Sequence, residues 1–96
     1  MTSKQRAFLR SLASNIEPIF QVGKDNLGEN LVKGLNDALE KRELIKISVL
    51  KSCELSAEEI LEKLCAELNA APVCAIGNKA VMYRRSSSDK VKHIEF

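Results

Sequence analysis

Aromatic residues are scarce in this chain of 96: Phe8, Phe20, Phe96 and Tyr83, with no tryptophan. Phe8 and Phe20 fall in apolar patterns that predict burial, which leaves too few rings for a protein that grips bases on a stacking platform. Histidine is scarcer still. His93 stands alone beside Lys92, where an exposed tail residue is expected rather than a catalytic base. Cys53, Cys65 and Cys74 are odd in number and lack C-x-x-C spacing. With one histidine they make no zinc ligand set, and Cys65 and Cys74 fit core packing instead. Neither phosphate fingerprint, G-x-x-x-x-G-K-S/T or G-x-G-x-x-G, occurs. A non-enzyme without cofactor or metal is therefore expected. No apolar run approaches the roughly 20 residues that cross a bilayer, and no uninterrupted apolar stretch follows Met1–Arg6. A cytoplasmic protein with neither secretory leader nor membrane contact is expected.

What the chain does have is enough length for one domain with a single core, and an apolar content of 45%. Its net charge of +2 hides a strong partition. Residues 1–53 carry +3, residues 54–71 carry −4, and residues 72–96 carry +3. One segment takes most of the negative charge, so the remaining surface is more basic than the total suggests.

Thr2 and Gln5 have capping-box spacing and open a first helix with Phe8, Leu9 and Leu12 inward and Arg6 and Arg10 opposite. Pro18 to Val22 reads as a strand. A second helix over about Gly28 to Lys41 buries Leu31, Val32, Leu35, Ala38 and Leu39, with Gly34 marking a close approach. From Leu44 to Leu50, Ile45, Ile47 and Val49 alternate with Lys46 and Ser48, the period of a strand with one buried face. Ser56 and Glu59 cap a third helix, with Ile60, Leu61, Leu64, Cys65 and Leu68 inward and Pro72 closing it. Val73–Ile76 and Ala80–Arg84 flank Gly77-Asn78-Lys79 as a hairpin. The order α-β-α-β-α-β-β predicts a two-layer α/β sandwich on a four-stranded mixed sheet. Residues 1–85 form the domain. Residues 86–96 are expected to be a polar, flexible tail, with Val91, Ile94 and Phe96 as weak docking points.

The functional interest lies in Gly23-Lys24-Asp25-Asn26, between the first strand and second helix. Backbone N–H groups and a helix N-terminus favour an anion there, and Lys24 adds a positive charge. Arg6, Arg10, Lys46, Lys79 and Arg84 are further cations. Each also has an ordinary reading as solvated surface, and Arg84 as a residue that snorkels from a strand end. With few exposed rings, clamping of an RNA backbone fits this set better than base stacking.

Several segments together resemble the YhbY/CRM-domain family of RNA-binding proteins. They are Gln5, Leu9 and Leu12-Ala13, then Pro18 through Leu27 with Glu29-Asn30, then Glu43-Leu44-Ile45-Lys46-Ile47, and finally Ile76-Gly77-Asn78-Lys79 with Tyr83-Arg84. The likeness spans residues 2–85 and implies a fold similar to the C-terminal domain of translation initiation factor three. It also implies RNA binding in ribosome assembly, with ribosomal RNA of a large-subunit precursor as partner. The family loop is G-x-x-G; here Gly23 supplies the first glycine and Asn26 takes the second place. Asparagine is the non-glycine residue that best enters the left-handed region. A monomer is expected, with ribosomal proteins as possible further partners. The alternative is an adaptor whose acidic third helix, through Glu58 and Glu62, docks a basic ribosomal protein.

Overall fold

The Thr2 side chain accepts from the Gln5 N–H at 3.1 Å, and the Gln5 side chain accepts from the Thr2 N–H at 3.0 Å. This reciprocal cap starts α1 (Ser3–Ala13) in the computed structural model, which describes residues 1–23 and 28–95. The other elements follow as β1 (Phe20–Val22), α2 (Glu29–Arg42), β2 (Leu44–Val49), α3 (Ala57–Leu68), β3 (Ala71–Ile76) and β4 (Lys79–Tyr83). Ser56 and Glu59 form the same kind of box at α3. The expected order and four-stranded mixed sheet are both present.

The strands lie in the order β1-β2-β4-β3, with β1 parallel to β2 and the other pairs antiparallel. Alternation along β2 sends Ile45, Ile47 and Val49 to one face, where Leu35 and Leu39 of α2 and Ile60 and Leu64 of α3 complete the main core. This is the two-layer sandwich. α1 lies across part of the opposite face, with Leu9 and Ala13 packed on Leu44, Val73 and Val81. Gly34 is the expected close approach: a Cβ there would sit 3.1 Å from the Phe20 ring.

Three expectations are corrected. Phe8 is not core: it is 42% exposed, since α1 buries the stripe of Leu9 and Ala13 and turns Phe8 and Leu12 to its flank. Pro72 does not close α3. The helix stops at Leu68 because Asn69 turns left-handed at φ 54°, and Pro72 lies inside β3. Proline is tolerated there because β3 is an edge strand with one side unpaired in the sheet. His93 is not a bare tail residue but a half-buried one, hydrogen-bonded through Nδ1 to Glu43 Oε2.

Residues 86–94 return to the C-terminal end of α2. Glu43 is fully buried and accepts from the Ser86 N–H at 2.7 Å and the Ile94 N–H at 2.6 Å. Glu40 accepts from Ser87 through its N–H and hydroxyl, both at 2.8 Å. The two carboxylates thus clasp the segment that follows the domain.

Candidate functional site

Arg10, Lys46 and Lys79 come from α1, β2 and β4, and fold geometry brings them to one face. Lys46 lies opposite Val81, and Ser48 lies opposite Lys79, in the β2–β4 register. Because Ile45, Ile47 and Val49 take the core face, Lys46 and Ser48 take the other. Lys79 Nζ donates to Ser48 Oγ at 2.7 Å, which fixes the lysine over the sheet rather than out in solvent. Arg10, in the last turn of α1, reaches over the uncovered part of this face.

Between helix and sheet lies a groove of about 540 Å³, lined by these three cations and by Ala7, Cys74, Ile76 and Val81 among others. Among the described residues its lining contains no carboxylate. A larger groove of about 680 Å³ runs between α2 and α3, but there Lys33 and Lys63 are balanced by Glu29 and Glu67. Charge, not size, distinguishes the α1 groove as a site for an anion.

A bulge in β3 completes the groove. Pro72 pairs with Met82 and Cys74 with Val81, leaving Val73 as an extra residue. Val73 and Cys74 consequently both contact the α1 side, and Ile76, opposite Lys79, follows them there. Simple alternation from Pro72 would have turned Cys74 and Ile76 to the other face. Ser48 was legible from the same period-two pattern that located Lys46; Cys74 and Ile76 had no such signal.

Gly23 is buried at the end of β1. The Leu50 N–H donates to the Val22 carbonyl at 2.8 Å, and the Val49 N–H to the Asn78 carbonyl at 2.7 Å. The chain therefore leaves β1 at the same end of the sheet as the β3–β4 turn, where Gly77 adopts φ 60°, and as Lys79. Lys24, Asp25 and Asn26 lie outside the described residues. α2 resumes after Gly28, its N-cap.

Two other expected cations are placed elsewhere. Arg6 lines a separate cavity of about 320 Å³ at the β3 edge, with Glu58 and Glu62 of α3. Arg84 faces the helical layer. Its Nη1 donates to the Leu68 carbonyl at 2.8 Å and its Nη2 to the Asn36 carbonyl at 3.2 Å, with Glu40 at 3.6 Å. It supplies the cation that the last turn of α3 lacks.

The shifted carboxyls belong to the tail clasp and do not line the α1 groove. Burial pushes Glu43 up, but the hydrogen bonds from His93, Ser86 and Ile94 outweigh it and hold the carboxyl below its ordinary value. The backbone and side-chain bonds from Ser87 do the same to Glu40. Cys65, in the main core, has its thiol pushed up to about 11 by burial. Among the described residues no cluster of three or more His, Cys, Asp or Glu is placed to hold a metal, and no helix is long and apolar enough to cross a membrane.

Residues 1–84 match the family model described as the CRS1 / YhbY (CRM) domain. The chain is 44% identical over 90 residues to the Bacillus subtilis (strain 168) protein named "Probable RNA-binding protein YqeI", covering 94% of each. It is 32% identical over 92 residues to a Haemophilus influenzae protein named "RNA-binding protein", covering 96% of this chain and 93% of that one. The solution structure of SAV1595 from Staphylococcus aureus, itself proposed to bind RNA, is similar with a TM-score of 0.77 at 41% identity, covering 98% of this chain and 99% of that one. The chain belongs to the CRS1/YhbY (CRM) domain family.

Proposed function

We propose that this protein binds RNA, without catalysis, through the sheet face that carries Arg10, Lys46 and Lys79, and that its target is ribosomal RNA in a precursor of the large subunit. The observation that carries the reading is the convergence of three cations, from three separate elements, on one groove that no carboxylate lines among the described residues. RNA phosphates suit such a surface because each neutralised phosphate releases condensed counterions. The names of the relatives support RNA as the partner. The ribosomal target rests on the family resemblance.

Gly23, Lys24, Asp25 and Asn26 are assigned as a phosphate-facing loop, with Gly23 at the Lys79 end of the sheet as its support. Arg6 becomes an outlying contact beside Glu58 and Glu62. Arg84 is left out, since its guanidinium serves helix carbonyls. The protein acts as a cytoplasmic monomer in this account.

Crosslinking in cells followed by sequencing of the attached RNA tests the target. Enrichment on large-subunit ribosomal RNA, lost in the Lys24→Ala/Arg10→Ala double variant, is expected. A diffuse pattern over unrelated RNAs contradicts the ribosomal target. Ribosome association that survives the double variant, but disappears when Glu58 and Glu62 are reversed to Lys, assigns the protein to the adaptor class instead.

A further inference from the structure

The floor of the α1 groove is aliphatic, which phosphate binding alone does not require. Ala7 comes from α1, Cys74 and Ile76 from β3, and Val81 from β4. Ile76 is 66% exposed, the most exposed large apolar residue among those described, and it stands opposite Lys79 across the sheet. The bulge at Val73 is what brings Cys74 and Ile76 to this face. A rim of cations around an apolar floor matches a nucleotide: negative phosphate at one end, flat and weakly polar base at the other.

We propose that the groove takes one unpaired nucleotide of the bound RNA, with its base against Ile76, Cys74 and Val81 and its phosphates on Arg10, Lys46 and Lys79. The proposal rests on the RNA reading and deepens it, by naming the RNA class as one with a bulged or looped-out residue. An A-form duplex keeps its base faces stacked inside and offers phosphates, sugars and base edges, so it engages the rim and leaves the apolar floor wet. An extruded base reaches the floor and removes Ile76 from water. Aliphatic walls take the place of aromatic rings, none of which lines this groove among the described residues, and the planar Arg10 guanidinium supplies a stacking partner at the rim.

The test compares two RNA hairpins, one with a single bulged nucleotide and one with that nucleotide paired. The protein is expected to bind the bulged hairpin about tenfold more tightly, at the modest end for one base held against a side-chain surface. Ile76→Ala, which removes a wall, and Ala7→Leu, which fills the groove, each bring that ratio toward one. Alkylation of Cys74 by iodoacetamide, read by mass spectrometry, is slowed by the bulged hairpin, with Cys53 as the reference outside the groove. Equal binding of both hairpins, or a preference that survives both substitutions without protection of Cys74, overturns the proposal while leaving RNA binding intact. Failure to bind either hairpin at low salt contradicts the RNA reading itself. Displacement of the bulged hairpin by an acidic peptide at equal concentration reassigns the groove to a protein ligand.

Discussion

At the scale of single residues, Glu43 carries the most physical tension. It is fully buried, sits at φ 64°, and accepts hydrogen bonds from Ser86, Ile94 and His93. Truncation to Ala strands those donors and costs on the order of 3 kcal/mol. Glu43→Gly strands them equally but relieves the positive φ, which a Cβ disfavours, so it is expected to be more stable than Glu43→Ala by about 1 kcal/mol. Chemical denaturation of the two variants checks that order. The carboxyl is held below its ordinary value, so its charged form contributes fully above about pH 4.3 and the contribution fades as pH falls through the lowered value. The wild type should therefore lose stability below that pH more steeply than Glu43→Gln, as urea midpoints across the acid range would show. Gly34 makes a second residue-scale test. Gly→Ala inside a helix ordinarily gains about 1 kcal/mol, but here the new Cβ meets Phe20 at 3.1 Å. Gly34→Ala is expected to gain nothing in the wild type and to recover that gain when Phe20 is Leu.

Among the elements, the helix starts, the central strand and the Gly77-Asn78 hairpin turn were legible, and the place of Pro72, the bulge after it and the docking of the tail were not. Thr2/Gln5 and Ser56/Glu59 advertise their helices locally, because each cap is made within one turn. Ser56→Ala should cost about 1 kcal/mol, measurable as a shift in denaturation midpoint without change in slope. Ile45, Ile47 and Val49 likewise announce their face by period two, and Lys46 inherits the other. Pro72 was ambiguous in principle, since a proline after a helix and a proline on an edge strand read alike without the sheet order. The extra Val73 is invisible for the same reason: a bulge is defined against its partner strand. The tail was hidden by distance along the chain. Its polar residues suggest solvent, yet their acceptors, Glu40 and Glu43, lie more than forty positions upstream. Removing residues 86–96 leaves the Glu43 carboxylate without those partners, and a lowered thermal midpoint is expected by calorimetry.

For the whole molecule, the separation of charge seen along the sequence becomes a separation in space. The acidic α3 occupies the helical layer with α2, while Arg10, Lys46 and Lys79 gather on the opposite face of the sheet. Of the expected contact residues, those three were legible as a set only through the fold, because α1, β2 and β4 converge from distant parts of the chain. Arg6 and Arg84 looked equivalent to them in sequence and are distinguished by their neighbours, Glu58 and Glu62 for one and helix carbonyls for the other. The most direct test of the cationic face is the salt dependence of RNA affinity. Each lost phosphate contact flattens the log–log slope by about 0.7–0.9, so Arg10→Ala/Lys46→Ala/Lys79→Ala together should flatten it by about 2 to 3 units. Lys33→Ala/Lys63→Ala, in the charge-balanced groove of the helical layer, should leave it nearly unchanged. Equal slopes for the triple variant and the wild type would contradict the account.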